Sequence, residues 1–111
     1  MSELKQLIAA ARDVEVTPVE VPEWGTVVHL KQLNVSERIS LMDKVTESNT
    51  GKLSVFTLLF TLCDQDGVLV FGADDYELLA AKNARVIDRL GHRAAELNRM
   101  VGDAIGEAKN A

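Results

Sequence analysis

From residue 84 to residue 102 apolar side chains recur at helical spacing, and no other stretch constrains the fold as much. At 100° per residue, Met100, Val86, Leu97, Leu90, Val101, Ala94 and Ile87 fall within an arc of roughly 140°, while Asp88, Arg89, His92, Glu96 and Arg99 take the other side. Such a helix needs its stripe covered, because most helical stability in proteins comes from packing an apolar face. The chain has 111 residues. At that length roughly two-thirds of the unfolded surface can be buried, enough for one core and not for two. One domain over 1–111 is therefore expected, with an N-terminal helix over 1–12 and a flexible tail over 103–111. Within that tail, Gly106-Glu107-Ala108-Lys109-Asn110-Ala111 offers no apolar side chain larger than alanine.

The first half supplies the strands. Leu4, Leu7, Ile8 and Ala11 fall at i, i+3, i+4 and i+7 behind Ser2, a good N-cap residue, which predicts a short amphipathic helix over 3–12 at the periphery. From Val14 the period changes to two. Val14, Val16, Val19 and Val21 enclose Glu15 and Glu20, with Pro18 as an interruption that an edge strand tolerates. Pro22-Glu23-Trp24-Gly25 signals a turn, and Val28 and Leu30 then alternate with His29 and Lys31, predicting an antiparallel hairpin. Ser36 can cap a helix in which Ile39, Met42 and Val45 share a face, and Ser48-Asn49-Thr50-Gly51 would end it.

Residues 53 to 63, Leu-Ser-Val-Phe-Thr-Leu-Leu-Phe-Thr-Leu-Cys, are the most apolar stretch. Their Val, Phe and Thr content favours a strand, whereas a run of this length exceeds the usual strand and favours a buried helix, which is the reading adopted. Asp64-Gln65-Asp66-Gly67 reads as a turn and Val68-Leu69-Val70-Phe71 as a short extended run. Asp74 followed by Glu77 resembles a capping box opening a helix from about 75 to 82. Strands and helices segregate along the chain, so the expected class is α+β: a small antiparallel hairpin packed against a cluster of helices, with a long C-terminal amphipathic helix.

Little here suggests chemistry. Seventeen acidic residues against 12 basic ones give a net charge of −5, which repels phosphate backbones and anionic lipid. The densest basic stretch, Arg85 to Arg99, is broken by Asp88 and Glu96 and has no aromatic residues for base stacking. Cys63 is the only cysteine, which excludes an intrachain disulfide and suits a reducing compartment; its apolar neighbours point to a packing role. His29 and His92 lack partners at metal-ligand spacing. Asp64-Gln65-Asp66 begins like a calcium loop, but Val68, Leu69 and Asp75 fall where ligands and the turn glycine belong. No phosphate loop or nucleophile elbow is present, and Asp74, Asp75 and Glu77 suit a helix N-terminus. The expectation is no catalysis, no metal, no cofactor, no nucleic acid and no membrane, since neither a secretory leader nor an 18-residue apolar run is found. What remains is a cytoplasmic protein that binds other proteins. The candidate contact residues are Ile87, Leu90, Leu97 and Met100, the last two lying late in the helix where the core has least left to cover. The same stripe offers a surface for a homo-oligomer.

The order of these segments carries a resemblance. Val21-Pro22-Glu23-Trp24-Gly25 leads into Val27-Val28-His29-Leu30-Lys31, then Ser36-Glu37-Arg38, then Leu59-Phe60-Thr61-Leu62-Cys63-Asp64-Gln65-Asp66-Gly67, Phe71, Asp74-Asp75 and a helix ending near Leu97-Asn98. Over roughly residues 13 to 100 this resembles the tail assembly chaperones of long-tailed bacteriophages with non-contractile tails. The resemblance implies a late protein of the host bacterial cytoplasm, not expected in the mature virion, that coats the tape measure protein and keeps it soluble until the tail tube protein polymerises around it. It also implies a longer form made by ribosomal frameshifting, which would recruit tail tube protein. Ala108-Lys109-Asn110 can be encoded as GCA-AAA-AAC, which contains a slippery string. Two rivals share the size and the lack of catalysis: a small structural tail or head-completion protein, which would stay in purified particles, and a host regulatory binding protein of antitoxin type.

Overall fold

Ser2 opens the first helix as its position predicts. In the computed structural model, which describes residues 2–47 and 52–100 and the side chains of all of these except 45–47, the Ser2 hydroxyl accepts the Lys5 N–H at 3.1 Å at the start of α1 (Glu3–Ala10). No residue of α1 is buried. The alternating segment forms β1 (Val16–Val21) and β2 (Thr26–Lys31), antiparallel from Val16 opposite Lys31 to Val21 opposite Thr26. A 3₁₀ turn over Pro22–Trp24 joins them and ends at Gly25 with φ 68°, a conformation glycine adopts without a Cβ penalty. Pro18 lies on β1, an outer strand, where its missing N–H need not interrupt a ladder.

The second helix, α2 (Val35–Glu47), starts one residue before the expected Ser36 cap. Asn34 takes that role: its Oδ1 accepts the Glu37 N–H at 2.8 Å, and Glu37 Oε1 accepts the Asn34 N–H at 3.0 Å, a reciprocal box that a serine inside the first turn cannot make. Leu41 is fully buried, whereas Ile39 and Met42, on the face the spacing singles out, are exposed. The side chain of Val45 and the expected terminator Ser48–Gly51 lie outside the described residues.

The apolar run resolves into both of its readings. Leu53–Thr61 form α3 and Leu62–Cys63 form β3, which pairs antiparallel with β2 through Leu62 opposite Leu30 and Cys63 opposite His29. Thr57 and Thr61 are buried within α3, and the Thr61 hydroxyl donates to the Thr57 carbonyl at 2.7 Å, so a polar atom in the core is satisfied. Asp64 Oδ1 then accepts N–H bonds from Asp66 and Val68 at 2.8 and 3.0 Å, and Gly67 has φ 82°. The turn folds the short extended run back, so that Leu69 bridges to Cys63. The expected Asp74 cap gives way to Asp75, whose Oδ2 accepts the Gly72 N–H at 2.8 Å, and α4 covers only Tyr76–Ala80 after a 3₁₀ turn over Ala73–Asp75.

Asn83 caps α5 (Ala84–Leu97) by accepting N–H bonds from Arg85 and Val86. This helix stops short of the predicted residue 102, because Asn98 bonds sideways to the sheet and Arg99 takes a positive φ of 56°. Val101 and the tail over 103–111 lie outside the described residues. The core joins all these layers: Val21 and Leu30 from the hairpin, Leu58 and Leu62 from α3 and β3, Leu79 from α4, and Val86, Leu90 and Ala94 from α5. Among the described residues the fold is α+β, with five α-helices and a three-stranded antiparallel sheet in the order β1-β2-β3.

Candidate protein-binding surface

The four stripe residues expected to meet a partner do not share one environment. Ile87 is 5% exposed and Leu90 is fully buried, so both face α3 and the hairpin rather than solvent. Periodicity identifies an apolar face but not what covers it, and here the chain's own α3 covers it. Leu97 is half-buried against the same core, and its carbonyl accepts a long bond, 3.5 Å, from Gln32 Nε2. Met100 is half-buried, but it lies beyond the positive-φ residue and not on the helix that carries the others.

Polar contacts fix α5 to the sheet at both ends. At the hairpin turn, Arg89 donates to both Glu23 carboxylate oxygens, at 2.7 and 2.8 Å. At the other end, Asn98 Oδ1 accepts the Leu33 N–H at 2.7 Å, while its Nδ2 donates to the carbonyls of Ala94 and Lys31 at 3.0 and 3.4 Å. Close by, Lys31 is mostly buried, and its ammonium meets Glu37 Oε1 at 2.6 Å, joining the sheet to the first turn of α2.

Large apolar side chains reach solvent elsewhere. On α1, Leu4, Leu7 and Ile8 are 64%, 68% and 67% exposed. On α2, Val35 and Ile39 are 76% and 57% exposed and stand one turn apart. Scattered exposed leucines need no explanation, but an ordered helix whose whole apolar stripe is uncovered marks an interaction site. The signal was present in the sequence as the 4, 7, 8, 11 spacing. What sequence alone lacks is the fact that, among the described residues, none of α1 is buried.

A groove of about 500 Å³ lies between β2 and the Asp64–Asp66 turn, with Trp24, Val28, Val70 and Phe71 among its walls. Cys63 also borders it, but the residue is buried, and its thiol donates to the His29 carbonyl at 3.5 Å. Burial pushes the thiol's pKa above its ordinary value, the nearby Asp64 carboxylate adds to this, and Lys31 opposes it. A thiol held protonated is a poor nucleophile. Among the described residues no group of three or more His, Cys, Asp or Glu side chains could hold a metal ion, and no helix is long and apolar enough to cross a membrane. What the described residues do present is exposed apolar surface on α1 and α2.

Comparison with known proteins agrees with that character. The model of a family described as phage tail assembly chaperone matches residues 3–110. Among solved structures, that of the bacteriophage HK97 tail assembly chaperone is similar with a TM-score of 0.64 and 27% sequence identity, covering 87% of this chain and 95% of that one. Among curated proteins, none matches significantly.

Proposed function

The chain belongs to the phage tail assembly chaperone family, and from that membership we propose that its client is the tape measure protein, which it keeps soluble during tail assembly. A long helical client with apolar stretches aggregates unless those stretches are covered. The observation that carries the reading is the uncovered stripe of α1, with Leu4, Leu7 and Ile8 each about two-thirds exposed. An isolated helix of this length is marginal in water, so a client that covers the stripe also steadies the helix. Each contact is small and reversible. Many copies along one long client bind through avidity and still yield to the tail tube protein.

The chain acts in the host cytoplasm without catalysis, leaves before the virion is complete, and self-associates along its client. A longer frameshifted form recruits the tail tube protein. Leu97 at the far end of α5 and Met100 beyond it add a second contact surface, while Ile87 and Leu90 support it from the core. The reading is tested by co-expressing this chain with the tape measure protein of the same genome. The expected result is a client that becomes soluble only with this chain. An insoluble client, with this chain retained in purified particles, would point instead to a structural tail component.

A further inference from the structure

We propose that the open edge of β2 at Thr26–Val28 receives an extended segment of a partner chain, apolar at alternate positions and carrying a lysine or arginine, which adds to the sheet as a strand. The ladder shows which backbone groups are presented. Gln32 N–H donates to Glu15 C=O at 2.9 Å, so in the observed register the bonded pairs of β1 and β2 are Thr17 with Leu30, Val19 with Val28 and Val21 with Thr26. Val27 and His29 therefore turn their N–H and C=O groups away from β1. His29 faces Cys63 in β3. Val27 would face the residue two further on, but the chain leaves the sheet at Asp64, where the side chain closes a turn.

Among the described residues Val27 is left on an unpaired edge, and its carbonyl accepts a long contact, 3.4 Å, from the neighbouring Thr26 hydroxyl. The outer edge of the sheet differs, because Pro18 blunts β1 against strand addition. Beside the open edge is the groove, where Trp24, Val28 and Phe71 form an apolar wall for one side chain of an incoming strand. Exposed Asp64 and Asp66 border its mouth, and among the described residues no ion pair involves either. Backbone bonds at Val27, one apolar anchor and two carboxylates together specify an extended segment with a basic residue. This surface is separate from α1, and the inference stands whether or not the client is the tape measure protein.

The test uses the full chain labelled with ¹⁵N and a synthetic six-residue peptide of alternating valine and lysine. Its control is the same peptide N-methylated at alternate residues, which cannot pair as a strand. The expected result is peptide-dependent amide shifts centred on Val27, with exchange of its N–H slowed about tenfold, and neither effect from the methylated peptide. Val27→Pro removes the donor and should abolish binding; should that variant fail to fold, Asp66→Lys should weaken binding several-fold with the fold intact. Equal binding of both peptides, shifts confined to α1, or a Val27 N–H in the free protein as protected as that of Val28 would overturn the proposal.

Discussion

Gly91 in α5 meets Ser54 in α3 at a separation that admits no side chain: a Cβ added to Gly91 would lie 2.8 Å from Ser54 Cβ and 3.0 Å from its Cα. The two helices cross at this point, and the close approach lets Leu90 and Ala94 on either side pack into the core. Replacing glycine by alanine inside a helix ordinarily stabilises by about 1 kcal/mol. Here Gly91→Ala should instead destabilise by about 1–3 kcal/mol, because the added methyl forces the helices apart. Urea unfolding measures this, and Ser54→Gly should recover part of the loss. A stabilised Gly91→Ala variant would mean that the helices are not in contact there.

The Glu23–Arg89 pair predicts a pH dependence. Hydrogen bonding from the guanidinium, the largest cause, holds the Glu23 carboxyl at about 2 against an ordinary 4.5. A carboxylate whose pKa is lower in the folded state stabilises the fold above the unfolded value and loses that contribution as protons are taken up on the way down. The melting temperatures of wild type and Glu23→Gln should therefore differ at pH 6 and converge as the pH falls from 4.5 toward 2. Both groups are exposed, so the difference should be modest and should shrink in high salt. A difference that persists unchanged at low pH would rule out the ion pair as its source.

Asn98 closes α5 onto the sheet, and Asn98→Ala would leave the Leu33 N–H without its 2.7 Å acceptor. A destabilisation of about 1–3 kcal/mol is expected in urea unfolding, the usual penalty for orphaning a partly buried donor. Asn98→Asp keeps the acceptor but loses the donor to Ala94 and Lys31, and should fall between the two.

These contacts also show where the sequence was readable. The hairpin, the Gly25 turn, the Ser2 cap and the Asp64 turn depend on residues a few positions apart, and each is where local pattern puts it. The end of α5 depends on Asn98 reaching Leu33, 65 residues away. The apolar spacing that continues through Met100 to Val101 therefore overstates the helix. Similarly, Leu62 and Cys63 leave the helical run because β2 offers them a pairing edge. On α2, the stripe of Ile39 and Met42 is legible, but among its described side chains the buried one is Leu41, since packing against α3 decides which side faces inward. The candidate surface suffered most. Ile87 and Leu90 fit a binding stripe and a core stripe equally well by spacing, and only the position of α3 separates the two.

That distinction predicts different outcomes along α5. Leu90→Ala, at a fully buried site, should lower stability by about 2–5 kcal/mol. Leu97→Asp should also lower the melting temperature, because Leu97 packs half-buried against the core, and any loss of binding it causes must be read against that. An unchanged melting temperature for Leu97→Asp would place the side chain wholly on a partner surface.

Leu4, Leu7 and Ile8 offer the cleanest separation of binding from folding, since no residue of α1 is buried. The decisive measurement is the amount of tape measure protein that co-purifies with this chain when both are expressed together, for wild type and for the variant Leu4→Ser, Leu7→Ser, Ile8→Ser. The variant should keep the wild-type melting temperature to within a few degrees, as surface substitutions usually do, and should lose at least about tenfold of the client, equivalent to about 1.4 kcal/mol of binding. Undiminished co-purification with the stripe removed would contradict the account and place the client on another face.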